Sequence, residues 1–305
     1  MHPGSVVCSW QNGVGPATAI GEDRSMVTFS LQALPTTATE WLDLARRAEE
    51  IGFESFYVAD HPGKCASPFV ALAAAAAVTD RIRLGSYVSN AGVREPVLLA
   101  SDVATLDVVS GGRAVLGIGA GHTPAEWEAV GRTRPGVRGR VDHCIEVAER
   151  TRALLQGGLE APRPVQERVP LLFGGGNTRL LRWAAANADL IGLSGLGRTL
   201  EDGHMHETRW GRDQVDAQVE ICGDTPAEAL VQRFEVTDDA GATYAEWAKE
   251  WDEDEADLVA APYAFAGTID EIVAKLGEIE RRWGITRFAV RTMAIDGVAE
   301  ILKRY

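Results

Sequence analysis

Cysteine is scarce in this chain. Its four residues, Cys8, Cys65, Cys144 and Cys222, are scattered over 305 positions with no Cys-x-x-Cys pair. That spacing excludes a disulfide framework and a zinc-finger site, and it suits a reducing compartment. Long apolar runs are missing too. The longest, Phe69 to Val78, is too short to cross a bilayer, and Met1 to Ser25 lacks the basic start and apolar run of a secretory signal. Positive charge is in deficit, with 30 Lys and Arg against 44 Asp and Glu and a formal net charge of -14. Such a surface repels nucleic acid and anionic membranes in bulk, yet leaves room for a local basic pocket. No G-x-S-x-G elbow and no G-x-x-x-x-G-K-[ST] loop occur. The expectation is a cytoplasmic protein that handles a small molecule, with no nucleic-acid or membrane partner.

What is present is enough for a large core. Hydrophobic residues make up 46% and charged residues 24% of the chain, ordinary globular values. Its length suits one (β/α)₈ barrel, which needs roughly 250 residues. Residues 1–25 are rich in Gly, Pro and Ser and read as a flexible leader, with a single barrel domain over 26–305. Strands are predicted at Val27 to Leu34, Ser55 to Ala59, Ile82 to Val88, Ala114 to Ile118, Pro170 to Phe173, Asp189 to Leu193, Val215 to Ile221 and Arg287 to Arg291. Helical spacing separates them. Trp41, Leu42, Ala45, Ala48 and Ile51 lie between a threonine cap near Thr39 and a stop at Gly52. Phe69 to Val78 reads as a helix buried on most sides, and Ile269 to Trp283 as an amphipathic one. Thr225 to Asp257 reads as helical and acidic, its run from Glu250 to Asp257 being a solvated face. Strand and helix alternate about eight times, which implies parallel strands closed into an α/β TIM barrel. An insertion is expected at about 196–257, where the rhythm weakens.

Barrel active sites lie at the C-terminal ends of the strands. That rule selects Asp60-His61, Tyr87-Val88-Ser89-Asn90, Gly119-Ala120-Gly121-His122 and Gly174-Gly175-Gly176-Asn177. Gly117 to Gly121 partly matches a dinucleotide fingerprint, but position 122 is His and no strand-end acid follows about 20 residues on. These glycines either let a flat ring lie against the backbone or make a tight rim turn. Three glycines before a helix starting near Thr178 favour anion binding at exposed N–H groups. His61 and His122 are candidate proton donors or substrate contacts. His204, His206 and Glu207 lack a well-spaced further ligand, so no metal is expected, and nothing near Cys65 suggests activation of its thiol.

Four segments, Trp41 to His61, Arg81 to Asn90, Ala104 to His122 and Leu171 to Asp189, place one motif at each rim position. Together they resemble luciferase-like monooxygenases and the deazaflavin-dependent oxidoreductases of the same fold, from about Val27 to Leu193; the C-terminal third matches only in outline. The resemblance implies a flavin-type cofactor, coenzyme F-420 on the strength of the short rim segments and the early Asp-His, with FMN as the alternative. It implies that Asp60 and His61 face the cofactor ring and that a non-proline cis peptide near Tyr87-Val88, with Ser89 following, presses on it. Gly119 and Gly121 would leave space at the ring, and Gly175, Gly176 and Asn177 would bind the phosphate. Sugar-phosphate dehydrogenases of this family carry a carboxylic acid just after the strand-four glycines, where this chain has His122. That departure turns the expectation towards a reductase of a C=C or C=N bond or an alcohol oxidation, with His61 or His122 handling the proton. The competing expectations are an FMN-dependent monooxygenase with a separate reductase and a non-catalytic ligand-binding barrel. Pairing through helices near strands two and three, as in the family, implies a homodimer.

Overall fold

The computed structural model describes residues 27–199 and 206–304. Eight strands form one closed parallel ring: β1 Thr28–Ala33, β2 Ser55–Val58, β3 Arg83–Ser86, β4 Ala114–Gly119, β5 Leu171–Gly174, β6 Leu190–Leu193, β7 Ala227–Leu230 and β8 Arg287–Arg291. Closure comes from β1 beside β8, with Phe29 level with Phe288, and from β3 beside β4, with Leu84 level with Ala114. The helices are α1 Ala38–Ile51, α2 Pro68–Ala76, α3 Pro96–Ser110, α4 Pro124–Ala129, α5 Val137–Ala153, α6 Thr178–Asn187, α7 Arg212–Cys222, α8 Ala240–Trp251, α9 Glu255–Ala260, α10 Ile269–Trp283 and α11 Ile295–Leu302. The leader expected at 1–25, Cys8 and His204 lie outside the described residues. Among the described residues no helix is long and apolar enough to cross a membrane.

The strands read as unbroken apolar runs because both of their faces are covered. All four residues of β2 and all six of β4 are buried. Inside the ring Tyr57, Tyr87, Val115, Leu172, Leu230 and Ala289 pack together. Outside it Phe56, Leu84, Leu116 and Phe173 meet the helices, each fully buried side chain stabilising by roughly 1.5–3 kcal/mol. Helix α1 begins at Thr37, whose hydroxyl accepts from the Glu40 N–H, and buries Trp41, Ala45 and Ala48. Gly52, at φ 102°, then turns the chain into β2. Helix α2 buries Pro68, Phe69, Ala71, Leu72, Ala75 and Ala76, leaving Val70 at 73% exposure.

The third strand is interrupted. After Ser86 comes a cis peptide between Tyr87 and Val88, and Ser89–Asn90 resumes pairing against Ile118 and Gly119 of β4. The Ser86 hydroxyl donates to the Gly117 carbonyl at 2.9 Å. Position 117 must be glycine, since a Cβ there would sit 1.7 Å from the Ser86 carbonyl oxygen.

The expected seventh strand, Val215 to Ile221, is instead within helix α7, and the true seventh strand is Ala227–Leu230, inside the segment expected to be helical. Val215, Ala217, Val219 and Ile221 alternate like a strand, but Val215, Gln218 and Cys222 are the buried set, at helical spacing. The strand itself, Ala-Glu-Ala-Leu, consists of good helix formers and hides a carboxyl inside the barrel, where Ser30 Oγ donates to Glu228 Oε1 at 2.7 Å. The additions in the C-terminal half are two. An antiparallel hairpin, Leu196–Thr199 with His206–Thr208, follows β6. After β7, Arg233–Val236 pairs in parallel with Ala264–Gly267, with α8 and α9 between them.

Candidate active site

A cavity of about 1120 Å³ opens at the C-terminal ends of the strands. Every rim residue selected from the sequence lines it: Asp60, His61, Tyr87, Val88, Ser89, Gly119, Gly121, His122, Gly175, Gly176 and Asn177. Their individual roles differ from one another.

His61 is backed by a carboxylate. Its Nδ1 lies 2.7 Å from Glu126 Oε1, on the first turn of α4. Glu126 is 3% exposed, and its Oε2 accepts from Asn90 Nδ2 at 2.6 Å. Burial alone would raise the Glu126 pKa; the hydrogen bonds from His61 and Asn90 and the nearby His61 charge outweigh it and hold the carboxyl below its ordinary value. An ionised carboxylate only accepts, so His61 carries hydrogen on Nδ1 and turns Nε2 to the cavity. Glu126 was missed from the sequence: it stands four residues after His122, in the first turn of α4, and 65 residues from the histidine it backs.

Asp60 lines the cavity and is engaged by protein donors. It is 2% exposed, and its oxygens accept from Arg94 Nε at 2.9 Å, Arg94 Nη2 at 2.7 Å and the Asn90 N–H at 3.0 Å. It fixes the chain after the cis peptide and thereby Asn90. His122 is sandwiched edge-on, its ring centroid 5.5 Å from His61 and 4.4 Å from His206 of the hairpin. Burial first, then the two neighbouring imidazoles, push its pKa down to about 4. At neutral pH it is uncharged.

The glycines make room for protein atoms. A Cβ on Gly119 would lie 2.6 Å from Val88 Cγ2, and one on Gly174 would lie 2.8 Å from Val88 Cγ1. Val88 therefore stands as an apolar ridge in the cavity wall, wedged between two strands. Gly121, at φ 65°, would place a Cβ 1.9 Å from Asn90 Oδ1. The space expected for a ring beside Gly119 and Gly121 is filled by Val88 and Asn90, and a ring would meet Val88.

Polar groups for an anion gather at the β5 side. The Gly175 N–H is engaged, donating to the Gly192 carbonyl at 3.1 Å. Asn177 Oδ1 caps α6, accepting from the Arg179 and Leu180 N–H groups. Arg134 and Arg140 also line the cavity, and no carboxylate among the described residues pairs with either. Arg134 Nε is buried without a partner, and burial lowers the pKa of both guanidiniums. Helix α5 starts beside them at Gly136 with no side-chain cap. Cys65 lies in the wall, its thiol pKa raised by burial and then by Glu126 and Asp60. Glu207 of the hairpin is paired with Arg198 at 2.6 Å.

The profile of the luciferase-like monooxygenase family matches residues 4–287, so the chain belongs to that family and is one of its enzymes. It is 28% identical over 224 residues to an uncharacterised protein of Mycobacterium tuberculosis, covering 62% of this chain and 71% of that one. It is 40% identical over 96 residues to the 5,10-methylenetetrahydromethanopterin reductase of Methanopyrus kandleri, covering 31% and 27%. Among solved structures, the coenzyme F-420-dependent tetrahydromethanopterin reductase of Methanopyrus kandleri superposes with a TM-score of 0.68 at 19% identity, covering 91% of this chain and 98% of that one. The oxygenating constituent of a 3,6-diketocamphane monooxygenase of Pseudomonas putida, in complex with FMN, gives 0.65 at 16% identity, covering 91% and 96%.

Proposed function

We propose that this enzyme transfers hydride between coenzyme F-420 and a small organic substrate, reducing a C=C or C=N bond or running an alcohol oxidation. The observation that carries the proposal is the carboxylate-backed His61 at the cavity rim, in the same wall as the Val88 ridge. A cavity of about 1120 Å³ has room for a fused ring with a phosphorylated tail and a small substrate. The residues fit the group: Val88 offers an apolar face to a flat ring, and Arg134 Nε is a buried donor lacking an acceptor. When bound, F-420 supplies or accepts the hydride. Arg134, Arg140 and the backbone at Gly176 and Asn177 would hold its phosphate. Asp60 and Asn90 fix the loop behind Val88. His61 exchanges the accompanying proton through Nε2, and Glu126 stabilises the imidazolium that forms when His61 takes a proton.

F-420 is preferred over FMN because of the 40% identity with the methanopterin reductase segment. The FMN complex of similar fold keeps an FMN monooxygenase with a reductase partner as the second candidate. We further place the protein in a reducing cytoplasm as a homodimer joined through α2 and α3, where Val70, Val97 and Leu98 are 73%, 53% and 62% exposed. No nucleic acid or membrane enters this proposal. The test is His61→Ala. Turnover should fall about 100-fold or more, the scale of general acid–base groups, while the F-420 dissociation constant stays within about twofold. Unchanged turnover would remove His61 from the chemistry.

A further inference from the structure

Three arginines besides Arg134 and Arg140 line the cavity: Arg198, which Glu207 pairs, Arg209 from the hairpin side, and Arg291 on the last strand. Inward-facing positions along the last strand alternate, so Ala289, which packs inside the barrel, puts Arg291 on the same face two residues nearer the rim. Arg291 is level with Gln32 of β1, and both line the cavity. Its Nη2 donates to Gln232 Oε1 at 3.1 Å, and Gln232 is itself held by donating from Nε2 to the Ser194 carbonyl at 3.0 Å. Gln32 is fixed in the same way, donating to the Tyr87 carbonyl at 2.6 Å. No carboxylate among the described residues lies within ion-pair distance of Arg291, although the chain carries 44 acidic residues. The neighbouring cation, Arg233, is neutralised by Glu250. Desolvation and then the like charge of Arg233 lower the Arg291 pKa, and no acid acts in the other direction. Arg291 is solvent-accessible at the cavity rim, with one donor held by an amide and no carboxylate partner, which leaves its guanidinium open to an oxyanion.

We infer that Arg291 binds a carboxylate on the substrate, so that the enzyme acts on small unsaturated, imine or hydroxy acids. The local chemistry sets the class: the Arg291 guanidinium is held by a neutral amide, its neighbour Arg233 is already neutralised by Glu250, and a single free cation at that point matches a carboxylate monoanion. Strand β1 separates β8 from β2, so the anion-binding end and His61 stand about two strand spacings apart, on the order of 10 Å. A substrate a few bonds long spans that gap. This inference deepens the proposed function and rests on the cavity being the active site.

The test compares ligands that share one chain and differ in the head group: hexanoate, hexanol and hexyl phosphate, titrated calorimetrically into the whole protein, with F-420 affinity measured separately. The wild type should bind hexanoate at least tenfold more tightly than hexanol, and Arg291→Gln should abolish that preference while keeping its affinity for F-420, which also shows that the variant is folded. The inference is overturned if hexanoate is not preferred, if the preference survives in Arg291→Gln, if hexyl phosphate binds most tightly, or if Arg291→Gln loses F-420. Failure of the wild type to bind F-420 with the hexanoate preference intact would refute the cofactor assignment and support the carboxylate site.

Discussion

Replacing Glu228 by Gln should make the protein more stable at alkaline pH and leave it unchanged in acid. Glu228 is 1% exposed inside the barrel, with Oε1 accepting from Ser30 and Oε2 without a partner. Burial is the main cause of its raised pKa, about 7 against an ordinary 4.5. The Ser30 hydrogen bond lowers it, the charge of Glu54 adds to the rise, and Arg287 opposes. A carboxyl whose pKa is higher in the folded state contributes stability that is complete below pH 4.5 and is lost as pH climbs through 7. The gap corresponds to about 3 kcal/mol at ~1.4 kcal/mol per pH unit. Glutamine keeps the shape and never ionises, so the difference between variant and wild type isolates this group from every other carboxylate. It should grow from near zero in acid to about 3 kcal/mol above pH 8, or roughly 5 °C in Tm for a chain of this size. Scanning calorimetry of both proteins across that range is the assay. Melting temperatures that run parallel with pH would refute the claim that burial in the barrel raises the Glu228 pKa.

Arg134→Gln should weaken F-420 binding by roughly 10- to 100-fold, because it removes a charge-assisted contact from a desolvated pole; the same titration at raised salt should show a shallower salt dependence for the variant. Gly119→Ala should cost about 1–3 kcal/mol, since its Cβ would lie 2.6 Å from Val88; urea unfolding reads the loss, and an unaltered midpoint would show that Val88 is free to move. His122→Phe should retain more than about a tenth of turnover, the imidazole being uncharged at neutral pH; steady-state kinetics beside His61→Ala decides it.

The barrel was legible because its strands are covered on both faces. Apolar runs such as Ala114 to Ile118 stand out between helices, and the rim rule then finds His61, Val88 and Asn177 without further help. The seventh strand was hidden because its inward residue is a carboxyl, Glu228, while α7 alternates by coincidence. Glu126 was hidden for a different reason. Its partner His61 lies 65 residues away in the chain, and nothing local marks a helix-start acid as that partner. The glycines were found for a reason the structure revises: they admit Val88 and Asn90 rather than open space. Asp60 was found as well, but its two oxygens serve Arg94 and Asn90.

The central claim is that the cavity takes F-420 against the Val88 ridge with its phosphate at Arg134 and Arg140. Titrating the purified protein with oxidised F-420 and, separately, with FMN, while following quenching of cofactor fluorescence, tests it most directly. Tight, saturable binding of F-420 with no binding of FMN is the predicted result; binding of FMN alone would contradict it and place the enzyme among the FMN monooxygenases.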